Sequence, residues 1–119
     1  MSPILIIEDD KEIREALSSF LEIEGYAVVA AEDGRKGLDI VQNHSDPSLI
    51  LLDLFMPQMG GLEFLKLYSK LNSEVPVVIC SACPPDHTTF IEAKALAQHA
   101  LTKPIDIDQV LDLARRYYH

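Results

Sequence analysis

Basic charge is scarce in this chain. Ten lysines and arginines stand against nineteen aspartates and glutamates in 119 residues, a formal net charge of −9. Nucleic-acid affinity comes mainly from cationic contacts to phosphates, so direct binding to DNA or RNA is not expected. The acidic balance reads first as a solvation device and leaves binding to other proteins open. Long apolar runs are also missing. None approaches the length that crosses a bilayer, so no membrane association is expected. The opening MSPILII has neither the basic flank nor the small-residue cleavage site of a secretory leader. These two absences point to the cytoplasm. Cysteine is limited to Cys80 and Cys83, spaced C-x-x-C. No linker, repeat or low-complexity segment divides the chain. Its length suits one domain, large enough to bury a core without disulfide or metal staples.

What is present is an alternation. Ile4–Ile7 is a short, β-branched apolar run that suits a buried strand. Ile13, Leu17, Phe20 and Leu21 then recur at helical spacing, and Gly25 suits a left-handed helix end. Tyr26–Ala31 reads as a second strand, with helical spacing again at Leu38 and Val41 and a loop at Pro47. Leu49–Leu52 is the third apolar run, followed by a turn marked by Pro57, Gly60 and Gly61. Phe64, Leu67, Tyr68 and Leu71 form the next helical stripe. Val77–Cys80 is the fourth strand, after Pro76. Thr88 to Ala97 reads as a helix through Phe90, Ala93 and Ala97, and a short strand lies near Ala100–Thr102. Ile107, Val110, Leu111, Ala114 and Tyr118 line the last helix, with Asp106 or Asp108 at its start. Five strand–helix repeats predict a parallel sheet covered by helices on both faces. The near-continuous apolar strands fit a sheet buried on both sides. The last helix reaches the end of the 119 residues, which leaves no room in them for an output domain.

In open α/β sheets, ligands bind beyond the carboxyl ends of the strands. Here those ends carry Glu8-Asp9-Asp10 after the first strand and Asp53 after the third. Ser81 follows the fourth, and Thr102-Lys103-Pro104 the fifth. Three carboxylates gathered at one rim repel one another. A hard divalent cation such as magnesium, which takes oxygen ligands, relieves that repulsion. Carboxylates also act as nucleophiles and form aspartyl phosphates. Phosphoryl transfer needs chiefly positioning and charge neutralisation. Lys103 supplies a mobile point charge, and Ser81 can donate a hydrogen bond to a phosphoryl oxygen.

Each of these residues has an ordinary structural explanation when taken singly. A strand-end acid is often a helix N-cap, Asp53 could be a turn residue before Pro57, and Ser81 and Lys103 could be a turn hydroxyl and a surface lysine. Their shared placement at the ends of alternate elements is what argues for a site. A thiol redox protein is the competing reading of Cys80-Ser81-Ala82-Cys83. A working C-x-x-C sits at a helix N-terminus, which lowers the first thiol's pKa. Cys80 instead belongs to an apolar strand and reads as a small buried hydrophobe. Zinc is disfavoured because no second ligand pair has metal-site spacing.

Four motifs in order, covering essentially the whole chain, resemble the receiver domain of two-component response regulators. They are ILIIEDDKEIREAL, LILLDLFMPQMGGLEFL, VPVVICSA and LTKPID. The resemblance implies a single receiver domain over residues 1–119, standing alone or as the N-terminal part of a longer response regulator. It implies a flavodoxin-like (βα)5 three-layer sandwich with strand order 2-1-3-4-5; a receiver is among the standard examples of that order. By the same resemblance Asp53 would be the phosphoacceptor, with Ser81 and Lys103 contacting the phosphoryl group. Asp9 would ligate magnesium directly and Glu8 directly or through water, with Asp53 and the backbone carbonyl of Phe55 completing the protein ligands. A histidine kinase or histidine phosphotransfer protein would donate the phosphoryl group. The chain would catalyse its own phosphorylation and dephosphorylation while serving mainly as a signalling module. An output domain, a protein target and a homodimer stay open.

Several positions depart from the family pattern. Ala100 stands where receivers often carry a tyrosine or phenylalanine that swings inward after phosphorylation. Leu96 replaces a common glycine, and Gln98-His99 replaces an acidic pair that often takes part in receiver dimers. Arg115 and Arg116 could still serve a dimer but read first as partners of a helix C-terminus. The altered Ala100 supports one further alternative, a receiver-like interaction module that is never phosphorylated. Phe55 and Cys83 occupy positions that in this family influence how fast the phosphoryl group is lost.

Overall fold

The structure is a computed structural model that describes residues 2–43, 46–56, 59–71, 74–82 and 87–119. Five strands, β1 (Ile4–Ile7), β2 (Val28–Ala31), β3 (Leu49–Asp53), β4 (Val77–Ser81) and β5 (His99–Thr102), alternate with five helices. The helices are α1 (Lys11–Ile23), α2 (Gly34–Asn43), α3 (Gly61–Tyr68), α4 (Thr88–Leu96) and α5 (Ile107–Tyr117). All strand pairs are parallel, in the order β2-β1-β3-β4-β5. This is the flavodoxin-like arrangement expected from the alternation and the motifs.

The period-2 alternation of the strands divides the core in two. Leu5, Ile7, Ile50, Leu52, Val77 and Ile79 face α2, α3 and α4, meeting Val41, Phe64, Leu65, Tyr68 and Ala93. Ile4, Ile6, Leu49, Leu51, Val78, Cys80 and Leu101 face α1 and α5, meeting Leu17, Leu21, Val110, Leu111 and Ala114. Both faces being dry is why the sequence shows continuous apolar runs rather than alternation.

Helix ends follow local chemistry. Asp10 caps α1 by accepting the Ile13 N–H at 3.1 Å, and Asp106 caps α5 by accepting the Asp108 N–H at 2.9 Å. At the far end of α1, Gly25 has φ +96°. Its N–H reaches the Glu22 carbonyl and the Tyr26 N–H reaches that of Leu21, the paired bonds of a Schellman ending.

Several boundaries differ from the sequence expectation. By one residue, β3 and β4 run on to Asp53 and Ser81, β5 begins at His99 and α4 stops at Leu96. β2 starts at Val28, not Tyr26, because Tyr26 turns its ring edge-on to Tyr118 at 4.8 Å and the Ala27 N–H donates to the Tyr118 hydroxyl. That contact also takes Tyr118 out of α5, where it forms the cap. α3 ends at Tyr68, and Leu71 lies exposed in a following 3-10 turn (Ser69–Leu71) instead of extending the apolar stripe. Pro57 of the expected turn lies outside the described residues, as does Cys83.

Gly61 connects the fold to the rim. Its N–H donates to the Leu54 carbonyl at 2.9 Å, drawing the start of α3 onto the end of β3. A Cβ there would collide with the Asp53 carbonyl oxygen and stand 2.8 Å from the Leu54 Cα. Both obstacles are backbone, so relief requires the chain itself to move. Gly61→Ala is expected to lower the unfolding free energy by about 1–3 kcal/mol, read as a shifted urea midpoint. An unchanged midpoint would show that the close approach is dispensable.

Candidate functional site

The strand ends deliver the expected side chains to one rim. Glu8 follows β1, Asp53 and Ser81 are the last residues of β3 and β4, and Lys103 follows β5. Glu8, Asp53 and Ser81 are buried, Lys103 is half-buried, and Asp9 is exposed. The Lys103 Nζ donates to Glu8 Oε1 at 2.9 Å and lies 3.3 Å from Asp53 Oδ1. The Lys103 N–H donates to the Ser81 carbonyl at 2.9 Å, which ties the loop after β5 to the end of β4. The Lys103–Pro104 bond is cis.

Burial decides the electrostatics. Asp53 is only 7% exposed. Desolvation first, and then the negative charge of Glu8, push its carboxyl up to about 7, against the opposing pull of Lys103. For Lys103, burial works against the ammonium, but its hydrogen bond to Glu8 and the charges of Asp53 and Glu8 outweigh that effect, and the net shift is upward. Lysine is therefore firmly charged, while Asp53 sits at the edge of ionisation for want of further positive charge.

Glu8, Asp9 and Asp53 can each offer a carboxylate oxygen, all within 4.8 Å of one another. An oxygen-only set with one exposed member suits a hard divalent cation that keeps some of its water. Phe55 lies two residues past Asp53 in the loop after β3, with its side chain 50% exposed.

Two side chains that sequence did not single out complete the surroundings. Arg14 donates from Nη1 to the carbonyls of Glu8 at 2.9 Å and Asp9 at 3.3 Å, holding the acidic turn against the first turn of α1. Its position four residues after the N-cap Asp10 was the available signal, because that spacing returns to the same side of the helix. His87 stands edge-on to Phe55, with ring centroids 5.6 Å apart. No spacing rule would reveal that contact, since it joins two loops.

Cys80 is 3% exposed. Burial pushes its thiol up to about 12; Lys103 favours the thiolate, and the nearby carboxylates oppose it. An attacking thiolate is thus disfavoured, which speaks against the redox reading. Gln98 and His99 are engaged within the chain. The Gln98 Oε1 accepts the Val77 N–H at 2.7 Å, and the His99 Nε2 lies 2.8 Å from the Tyr117 hydroxyl. Ala100 is partly buried and packs against the core cluster on the α2, α3 and α4 side of the sheet.

The model of the response regulator receiver domain matches residues 4–115. The chain belongs to that family. It is 37% identical over 110 residues to the uncharacterized transcriptional regulatory protein YkoG of Bacillus subtilis, covering 91% of this chain and 47% of that protein. Among solved structures it resembles the N-terminal domain of an uncharacterized protein from Wolinella succinogenes, with TM-score 0.90 and 31% identity over 98% of this chain and 94% of the other. Response regulator TrrA of Thermotoga maritima, solved in complex with Mg2+-BeF, is similar at TM-score 0.84 and 25% identity, covering 98% and 99%. The chain spans about half the length of the curated relatives it matches. Receiver domains of this family work in two-component systems, where they interact with histidine kinases or phosphotransfer partners. No helix among the described residues is long and apolar enough to cross a membrane.

The raised Asp53 carboxyl has a consequence for stability. In metal-free protein the folded chain holds this proton up to about pH 7, whereas an ordinary aspartate releases it near 3.8. Between those values the folded state binds more protons than the unfolded one. The contribution of Asp53 therefore makes stability fall as pH rises from about 4 to about 7 and level off above. Asp53→Asn is expected to remove that slope, measured as urea midpoints across the same range. Parallel curves for the two proteins would overturn the assignment.

Proposed function

We propose that this receiver domain accepts a phosphoryl group on Asp53 from the phosphohistidine of a histidine kinase or phosphotransfer protein, in a magnesium-dependent reaction. The observation that carries the reading is the buried Asp53 with Lys103 3.3 Å away and two further carboxylates within reach of a shared cation. In the reaction an Asp53 carboxylate oxygen forms the new P–O bond. The P–N bond of the donor breaks, and its electron pair stays on the imidazole. Lys103 already lies between Glu8 and Asp53 and needs only a small displacement to meet a phosphoryl oxygen. Ser81, at the end of the neighbouring strand, supplies a hydroxyl to the same group. Glu8, Asp9, Asp53 and the Phe55 carbonyl would hold magnesium. Bound there, the ion supplies positive charge that lets Asp53 ionise and offsets charge on the transferring group.

In dephosphorylation a water oxygen forms the new bond to phosphorus, the P–O bond to Asp53 breaks, and inorganic phosphate leaves with the Asp53 carboxylate regenerated. Phe55 offers that water no side-chain hydrogen-bond partner, so the aspartyl phosphate should be long-lived by receiver standards. The 119 residues act as one receiver domain, alone or at the start of a longer response regulator, in the cytoplasm. Output runs through an attached domain, a protein target or a homodimer. In the dimer case, Gln98 and His99 already have intramolecular partners.

Acetyl phosphate with magnesium is expected to phosphorylate the wild type, and a phosphorylated kinase to transfer to it. Asp53→Ala and chelation of the metal should each abolish incorporation, read on phosphate-affinity gels. Labelling that survives Asp53→Ala would sink the assignment and favour the reading as an unphosphorylated interaction module. Phe55→Asn should hasten decay of the loaded protein; wild type decaying as fast or faster would remove Phe55 from the account.

A further inference from the structure

Of the five helices, α4 is the least anchored. It has a single buried residue, Ala93, where the others have two to four. Ile91 and Leu96 are exposed, and the Lys66–Glu92 pair at 3.7 Å joins α3 to α4 on the surface. An exposed pair of this kind contributes little. Ala100, on β5, adds only a methyl group to the partly buried residues that pack against the core on this side of the sheet, Phe90 and Ala97 among them. An element with so few buried contacts is one that small forces can move.

What holds its first turn is therefore informative. His87 is the N-cap, with its Nδ1 accepting the Thr89 N–H at 3.2 Å and its carbonyl accepting the Ile91 N–H at 3.0 Å. The capping bond fixes the ring. The ring edge meets Phe55 at 5.6 Å and 85°, an edge-to-face pairing whose energy depends on geometry. Phe55 lies two residues beyond Asp53. β3 and β4 are neighbours, with Asp53 opposite Cys80, so the two rings bridge the loops that leave adjacent strands at the site.

We propose that the Phe55–His87 contact couples occupancy of the Asp53 site to the start of α4, so that α4 is displaced or fixed according to where the site places Phe55. The inference rests on Asp53 being the phosphoacceptor and on the Phe55 carbonyl being drawn to the bound ion. A ligand can shift α4 only through a contact that differs between the two states. Among the described residues this ring pair is the aromatic contact between the site's loop and α4. With only a methyl group at position 100, the relay from site to helix lies at the rim and not inside the sheet.

The test uses 1H–15N spectra of the whole chain, titrated with magnesium and then with beryllofluoride as a phosphoryl mimic. His87→Asn keeps a capping acceptor but removes the ring, and His87→Phe keeps a ring but removes the acceptor. In wild type, amides beside the site (Leu54, Thr102) and in the first turn of α4 (Thr89, Phe90) are expected to shift. In His87→Asn the site amides should shift as in wild type, with an unchanged magnesium midpoint, while the α4 shifts fall by about half or more. His87→Phe should retain them. A full α4 response in His87→Asn, or a response lost equally in both variants, overturns the coupling and leaves Asp53 as acceptor. Absence of any shift at the site amides overturns the acceptor reading and the coupling together.

Discussion

Two carboxylates buried side by side cannot both ionise cheaply, and the single ammonium of Lys103 is what lets Glu8 and Asp53 share this rim. Removing an ion from water costs several kcal/mol even after relaxation, unless a partner charge and hydrogen bonds replace the lost solvation. Lys103 meets Glu8 at 2.9 Å and Asp53 at 3.3 Å, yet burial first, and then the negative charge of Glu8, outweigh its pull and leave Asp53 with its carboxyl raised to about 7. The site is short of positive charge by construction. That deficit makes it receptive to a divalent cation, and the exposed Asp9 gives such an ion an approach from water.

The fold can be understood as the frame that makes this arrangement hold. Strand order places β3 and β4 between β1 and β5, so the lysine must reach across the ends of two strands to meet Glu8. Cys80, a small buried residue, lies near enough for its thiol to feel all three charges. The dry core on both sheet faces fixes the strand ends to which these groups are attached. Gly61 then brings the start of α3 onto the Asp53 backbone, and Arg14 holds the carbonyls of the acidic turn. Bracing contacts are concentrated around Asp53. They are fewest at α4, which has one buried residue and an N-cap ring set against Phe55 in the loop after β3.

Much of this was legible in the sequence because it depends on short-range pattern. Four-residue apolar runs located β1, β3 and β4, while β2 and the short β5 were placed with shifted starts. Helical spacing located every helix, and Gly25 marked a helix end by its own chemistry; which aspartates cap α1 and α5, Asp10 and Asp106, came from the structure. The strand ends also identified Glu8, Asp53, Ser81 and Lys103, since a parallel sheet presents its ligand rim at its carboxyl edge. At Tyr26 and Tyr118 the pattern fails because a distant contact intervenes. Tyr26 has strand propensity, but Tyr118, ninety-odd residues on, holds it out of the sheet and is itself held out of α5. Leu71 continues a helical stripe in spacing, but the helix tightens and turns away before reaching it.

By itself the sequence determined the alternation of elements, the two-sided burial of the sheet and the identity of the charged groups at its rim, because these follow from periodicity and from which residue ends each strand. Only the tertiary structure decided how those groups share charge. Lys103 pairs more closely with Glu8 than with Asp53, Arg14 braces the acidic turn, and Phe55 meets His87 across two loops. The reason is physical: desolvation and ring packing depend on distances between segments far apart in the chain, and those distances exist only once the sheet has brought the strand ends together.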